Sequence, residues 1–305
     1  MELIIALLLL IAVAAFLLVR SKSVRDNHED ASQRPAVMPE PQNGLERELE
    51  SRIAEFMELD HFSLMIQPVV DLRTDDVCCG EVLSRLNHPE RGMIFPDEFL
   101  PAVDSAGLYP QFDCYIFRKS CAWFSRSLAE GEELEILSCN FSRKTLSEAN
   151  VASQLVRIAD SYGLAHNRLA IEITERERET DAQQFYSNLA QLKAAGFKIF
   201  LDDYGNGVTS VKDLMQYPLD IVKIDRSLLL AAETEQGKAV YRALVVMAKE
   251  LGDKVVCEGI ETEAQRRFAG EAGCHYGQGF LFFRPMSTEQ VFDMVEKSSI
   301  RWEEV

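Results

Sequence analysis

The stretch Lys198-Ile199-Phe200-Leu201-Asp202-Asp203 decides how this chain is read. A short β-rich apolar run bounded by helical sequence reads as a buried strand, and a buried strand has no reason of its own to end on two adjacent carboxylates. The helix-like segment 181–195 precedes it and stops at Ala195-Gly196, a helix-ending signal. Working outward, the same alternation recurs along the chain. Strand-like runs cover Ser63–Val70, Gly80–Leu86, Leu134–Ser142, Leu169–Thr174, Ile221–Ile224, Lys254–Ile260 and Tyr276–Phe282, with helix-like segments at 112–130, 147–162, 235–251 and 262–271. Eight strands with intervening helices suit an α/β fold, a TIM-like (β/α)8 barrel, although a doubly wound open sheet uses the same alternation.

The polar residues favour the barrel. Near the C-terminal end of seven runs sits a residue that an apolar strand should not carry: Glu81, Asn140, Glu172, Asp202 with Asp203, Lys223, Glu258 and Gln278. In a barrel the strand ends converge on one face, and that face carries the chemistry. One such carboxylate would be an ordinary solvated strand end; seven together point to a site.

Glu81, Glu172, Asp202, Asp203 and Glu258 cannot all be ionised in a small space without cations, because like charges raise each other's pKa. Oxygen ligands without Cys or His select hard ions, so Mg²⁺ or Mn²⁺ is expected and Zn²⁺ is not. The adjacent pair Asp202-Asp203 could serve two ions or bridge them, an arrangement suited to phosphoester hydrolysis. Lys223 adds a positive charge for a phosphate oxygen or the attacking water, or else forms a salt bridge within the acidic cluster.

Composition narrows the partners. The 305 residues carry 49 acidic and 32 basic side chains, a formal charge of −17, with 47% apolar residues. This excludes disorder and collagen, and it argues against a protein that grips long nucleic acid through clustered Lys and Arg. The seven cysteines, Cys78, Cys79, Cys114, Cys121, Cys139, Cys257 and Cys274, contain no Cys-x-x-Cys pair. They read as small hydrophobes in a reducing compartment.

Every residue from Leu3 to Val19 is apolar, about 25 Å of helix at ~1.5 Å per residue, the short end of a bilayer span. A cleaved signal peptide would want a basic start and a shorter apolar core. Residues 1–19 therefore read as an N-terminal transmembrane helix. Arg20, Lys22 and Arg25 follow it directly, which by the positive-inside tendency places the bulk of the chain in the cytoplasm. Residues 20–44, with Arg-Pro, Met-Pro-Glu-Pro and Asn-Gly, read as a disordered linker. Helical spacing begins at Leu45, Leu49, Ile53 and Phe56 and opens the globular part, 45–305.

The motifs resemble those of the EAL-domain family. Gly80-Glu81-Val82-Leu83-Ser84-Arg85 is similar to the signature naming that domain, and Gln67-Pro68-Val69-Val70-Asp71-Leu72 to its opening segment. In order follow Asn140-Phe141-Ser142, Glu172-Ile173-Thr174-Glu175, Asp202-Asp203-Tyr204-Gly205-Asn206-Gly207, Val222-Lys223-Ile224-Asp225, Glu258-Gly259-Ile260-Glu261-Thr262 and Gly277-Gln278-Gly279-Phe280-Leu281-Phe282. The likeness covers about residues 45 to 297.

The resemblance implies a variant TIM barrel that hydrolyses cyclic di-GMP to linear pGpG in a bacterium, with Mg²⁺ or Mn²⁺ in a two-metal site and as a homodimer; the apolar run 3–19 adds the expectation that it is held at the cytoplasmic membrane. By the same resemblance Glu81, Asn140, Glu172 and Asp202 hold one metal, with Asp202 or Asp203 on the second. Glu258 is a second-metal ligand or general base, and Lys223 and Gln278 position the hydrolytic water. Glu175 steadies the loop after Asp203 and links it to the dimer interface. Gln67, Leu83 and Arg85 line the substrate groove. The departures are Val82 for alanine, Leu86 for a tryptophan expected to give the groove an aromatic surface, Asn206 for threonine, and Val208-Thr209-Ser210 for Tyr-Ser-Ser. No metal ligand is missing, which favours an active enzyme over an idle cyclic di-GMP receptor acting through a protein partner.

Overall fold

The hairpin at the start of the globular part sets the architecture. After helix α1 (Gly44–Glu58), which buries Leu49, Ile53 and Phe56, strand β1 (Phe62–Asp71) turns through five residues into β2 (Val77–His88). So short a connection permits only antiparallel pairing, since a parallel crossover needs a dozen or more residues. The two strands pair accordingly, with Gln67 opposite Glu81. β1 also pairs antiparallel with the last barrel strand, β9 (Tyr276–Gly277). From β2 the sheet continues parallel through β4 (Ile136–Phe141), β5 (Leu169–Ile173), β6 (Lys198–Tyr204), β7 (Ile221–Ile224) and β8 (Lys254–Cys257) to β9. The ring of eight strands is therefore closed, and one strand runs against the other seven, a departure from the regular (β/α)8 repeat. Two short strands, β3 (Gly92–Ile94) and β10 (Met286–Ser287), pair outside the ring with β2 and β1.

These features belong to a computed structural model that describes residues 44–130, 134–174, 179–205 and 211–291. The apolar run 3–19 and the linker 20–43 lie outside the described residues, as do Glu175, Asn206 and Val208-Thr209-Ser210. Among the described residues no helix is long and apolar enough to cross a membrane.

Helices α2 (Pro96–Ser105), α3 (Tyr109–Ala129), α4 (Arg143–Leu146), α5 (Val151–Ser161), α6 (Ala182–Ala194), α7 (Val211–Leu214), α8 (Arg226–Ala231), α9 (Glu235–Glu250) and α10 (Glu263–Ala272) accompany the strands. Because successive strand side chains point to opposite faces, each strand contributes to two separate layers. One phase, including Leu137, Ile171, Ile199, Leu201, Val222, Ile224 and Val255, packs with helix residues such as Phe117, Leu155 and Leu189 in the main core. The other forms a distinct cluster of Val69, Cys79, Ala170, Phe200, Ile221, Val256 and Tyr276, the apolar layer inside the ring. Six of the cysteines are buried and none is bridged, in line with their reading as small hydrophobes.

Three of the boundaries that differ from the sequence expectation bear on the polar residues. β2 extends to His88, so Glu81 lies in mid-strand rather than at a strand end. β8 ends at Cys257 and β9 at Gly277, so Glu258 and Gln278 each lie one residue beyond a strand. The cause is the crossing of the two following loops. Ile260 N donates to Gln278 O at 3.0 Å and Leu281 N to Ile260 O at 3.0 Å, and Gly279 lies so close to the Ile260 backbone that a Cβ there would fall 2.2 Å from Ile260 O.

Candidate active site

The site is the next layer of the same strands. Two residues beyond the apolar cluster, on the same face, stand Glu81 after Cys79, Glu172 after Ala170, Asp202 after Phe200, Lys223 after Ile221, Glu258 after Val256 and Gln278 after Tyr276. Gln67 takes this place on β1, where the direction is reversed and the residue two before Val69 rises to the same level. The period of two therefore turns an apolar floor into a polar upper layer on seven strands.

Lys223 is the centre. Its buried ammonium lies 3.0 Å from Glu81 Oε2, 2.8 Å from Asp202 Oδ1 and 2.8 Å from Glu258 Oε1, and it also donates to Glu172 Oε1. The salt-bridge alternative of the sequence reading is thus realised with four carboxylates at once. Gln278 Nε2 donates to Glu81 Oε2 at 2.7 Å and Asn140 Nδ2 to Glu81 Oε1 at 3.0 Å.

One ammonium does not balance four carboxylates, and the titration of the cluster follows. Burial pulls Lys223 down, but Asp202, Glu172, Glu258 and Glu81 together push it well above its usual value, so it stays charged. Burial raises Glu172 far above the carboxylate range, and the charges of Glu81 and Asp202 add to this. Burial likewise raises Glu258 well above that range, beyond what Lys223 offsets. Burial also works against ionised Glu81, yet Lys223 and the hydrogen bonds from Gln278 and Asn140 outweigh it and hold Glu81 low. The coupled carboxylates therefore hold protons as a group in the metal-free protein.

Asp202 and Asp203 owe their joint placement to an irregularity. Leu201 pairs with Val222 and Tyr204 with Ile224, so two residues of β6 lie opposite Lys223 alone. Asp203 takes φ 54°, in the left-handed region that Asp tolerates better than most residues. Such a bulge re-aims side chains beside a site. Carboxylate oxygens of Glu81, Glu172 and Asp202 lie within 4.8 Å of one another, as do those of Asp202, Asp203 and Glu258. Asp202 is common to both groups.

Three buried oxygens in this layer, Asn140 Oδ1, Glu172 Oε2 and Gln278 Oε1, have no hydrogen-bond partner. All three are acceptors, and buried acceptors left open are costly unless something positive meets them. With only oxygen donors present, the residues fit a hard divalent cation.

A cavity of about 170 Å³ leads from Glu81, Asn140, Asp202 and Asp203 past Leu83 to Pro96, Leu100 and Tyr109. Leu83 lines this cavity. Gln67 donates to Phe283 O at 3.2 Å, while the buried Arg85 donates to Ser84 O at 2.8 Å and lies over the Phe95 ring. Leu86, expected to alter the groove, is instead fully buried in the outward phase of β2 and packs in the main core, as does Val82. A larger cavity of about 410 Å³ lies around Asp71, Arg73, Glu135 and Lys198 and contains none of the cluster.

Two contributors were missed in the sequence. Asp113 in α3 accepts from Ser142 N at 2.9 Å and Thr145 Oγ1 at 2.6 Å, fixing the chain just after Asn140. Arg143, also buried, donates to Thr174 O at 3.2 Å and Tyr217 Oη at 2.9 Å, tying the end of β4 to the segment after Glu172. A charged residue among the apolar ones of α3 was the available signal for Asp113; Arg143 gave none.

The family profile described as EAL domain matches residues 50–285. NbdA, a cyclic di-GMP phosphodiesterase of Pseudomonas aeruginosa, is 30% identical over 242 residues, covering 79% of this chain and 31% of NbdA. An uncharacterized protein of Mycobacterium tuberculosis is 32% identical over 254 residues, 82% of this chain and 41% of that protein. The chain thus spans about two fifths or less of these curated relatives. The solved PaMucR phosphodiesterase in complex with c-di-GMP superposes with a TM-score of 0.74 at 31% identity, covering 80% of this chain and 99% of the other.

Proposed function

We propose, from the premise that this chain belongs to the EAL-domain family, that it hydrolyses cyclic di-GMP to linear pGpG with bound Mg²⁺ or Mn²⁺. The observation that carries this reading is the pair of carboxylate groups sharing Asp202, beside three buried oxygens with no protein partner. Glu81, Asn140, Glu172 and Asp202 would hold one ion, and Asp202, Asp203 and Glu258 the other. Divalent ions bound there would supply Lewis-acid polarisation of the phosphodiester and a more acidic water.

The chain's own residues do the rest. Water oxygen bonds to phosphorus as one ester P–O bond breaks, and the water's proton passes to Glu258, which acts as general base in its ionised form. The leaving ribose oxygen takes up a proton from solvent, and Glu258 returns its own to solvent. Lys223 holds Glu258, Asp202, Glu172 and Glu81 in place and keeps a positive charge beside the reacting phosphate. Gln278 donates through Nε2 to Glu81, which leaves its Oε1 open to accept from an attacking water. Arg85, Leu83 and Gln67 would bind the remainder of the dinucleotide, and Glu175 would steady the loop after Asp203.

The same reading takes residues 1–19 as a membrane anchor, 20–44 as its linker and 45–305 as a cytoplasmic catalytic domain. It also takes the working form as a homodimer, supported by the exposed apolar side chains Val211 and Met215.

The test is incubation of the purified full-length chain with cyclic di-GMP and Mg²⁺ or Mn²⁺. pGpG should accumulate, and Glu81→Ala should abolish it. Tight binding without turnover would replace this reading with that of a receptor. Light scattering checks the dimer, and a reporter fused after Asn43 checks the cytoplasmic side.

A further inference from the structure

Phe95 stands where the fold does not ask for a phenylalanine. It is the N-cap of α2, with φ −90° and ψ 161°, a position that favours Ser, Thr, Asp or Asn because their side chains can accept from the first helical N–H groups. Phe95 supplies no such bond. The helix start is served from within, by Glu98 Oε1 accepting from Phe95 N at 3.4 Å. The ring itself remains 51% exposed. A large apolar side chain that neither caps the helix nor joins the core is paid for by something else.

What the ring touches is Arg85. The guanidinium carbon lies 4.9 Å from the ring centroid. Arg85 is buried, and its guanidinium donates to Ser84 O at 2.8 Å; among the described residues its other N–H groups have no acceptor. A guanidinium held over an aromatic ring has N–H groups left for another partner, and their fork fits a phosphate. Leu83, two residues before Arg85 on the same face of β2, and Pro96, next to Phe95, both line the cavity that runs down to Asp202 and Asp203. Arg85 and Phe95 are thus the immediate chain neighbours of Ser84 and Pro96, which line this cavity, while the acidic residues Glu81, Asp202 and Asp203 line it as well.

We propose that Phe95 is a positioning residue for substrate, holding the Arg85 guanidinium so that its remaining N–H groups meet the phosphate of the cyclic dinucleotide that lies away from the acidic cluster. This rests on the reading of cyclic di-GMP as substrate. Loss of the ring leaves Arg85 free to rotate and weakens binding without touching the chemistry.

The test is Phe95→Ser in the full-length chain, because serine is a better N-cap and a merely structural role predicts equal or higher thermal stability with unchanged kinetics. The expected result is unchanged or raised stability, a KM for cyclic di-GMP about tenfold higher, the scale of one partly desolvated cation–π contact, and a kcat within about twofold. Phe95→Trp should restore KM. In an Arg85→Ala background, Phe95→Ser should add nothing further. An unchanged KM, or effects that multiply in the double variant, overturns the inference while leaving the proposed activity intact. Should the wild type bind cyclic di-GMP but not turn it over, calorimetry with CaCl₂ decides: about tenfold weaker binding by Phe95→Ser sustains the inference and equal binding overturns it. Absence of binding by the wild type overturns the substrate reading and the inference with it.

Discussion

Asp202 and Asp203 are neighbours in sequence and yet both belong to the acidic cluster, because together they lie opposite Lys223 alone. In a regular strand the second carboxylate would face the helices. Asp202 is shared by both carboxylate groups and Asp203 belongs to one, so the two residues should separate in experiment. Asp202→Asn is expected to lower turnover by at least about 10²-fold, the scale for removing one preorganised electrostatic group, and to abolish Mg²⁺ binding by calorimetry. Asp203→Asn should retain one bound ion per chain and lose the second. Equal stoichiometry in the two variants would contradict this division.

Lys223 and Glu172 illustrate how the cluster is stabilised without metal. The ammonium is buried among four carboxylates, and removing one partner of a buried ionic network leaves uncompensated charge, typically costing about 3–5 kcal/mol. Lys223→Met should lose stability on that scale in urea denaturation with EDTA. Excess MgCl₂ should recover part of the loss, because added positive charge meets the same carboxylates. An identical loss with and without Mg²⁺ would show that packing, not charge, is what the lysine contributes.

Glu172 and Glu258 are raised well above the carboxylate range by burial and by neighbouring charge. The folded, metal-free protein therefore holds protons that the unfolded chain has already released. Their contribution to metal-free stability is present below the ordinary carboxylate pKa and declines as pH rises through the raised values. A divalent ion requires the ionised forms, so Mg²⁺ affinity should increase with pH over the same interval and binding should release protons. Calorimetric titrations in two buffers of different ionisation enthalpy measure that release. Proton uptake, or none, would contradict the assignment.

Much of this site is legible in the chain because a strand repeats every two residues. The interval from Cys79 to Glu81, Ala170 to Glu172 or Ile221 to Lys223 is enough to put an apolar layer and a polar layer on one face. The reversed direction of β1 was not read from the sequence, because the expected runs left nine residues between Val70 and Gly80 and only the strands' true ends shorten the connection to five. What periodicity does not carry is geometry that breaks the period. The bulge at Asp202-Asp203 depends on a left-handed aspartate, and the early ends of β8 and β9 depend on two loops crossing at Ile260 and Gly279. Leu86 was misjudged because its phase, opposite to that of Glu81, turns it to the core. Phe95 gave no pattern at all, being one aromatic at a helix cap.

The crossing of those loops gives a last prediction. Gly279 lies where a Cβ would come within 2.2 Å of Ile260 O and 2.3 Å of Ile260 N, backbone atoms that cannot rotate away. Its neighbour Gln278 accepts from Ile260 N through its carbonyl and donates to Glu81 through its side chain. Gly279→Ala should therefore separate the two loops, cost about 1–3 kcal/mol as overpacking does, and displace Gln278 from Glu81. Gly270 makes the control: it is in the exposed face of α10 with nothing within 4 Å of its Cβ position. Gly270→Ala should gain about 0.5–1 kcal/mol from helix propensity. Thermal denaturation and turnover measured side by side on the two variants should move in opposite directions for stability, with turnover reduced only in Gly279→Ala. Normal turnover in Gly279→Ala would mean that Gln278 does not depend on the crossing for its place.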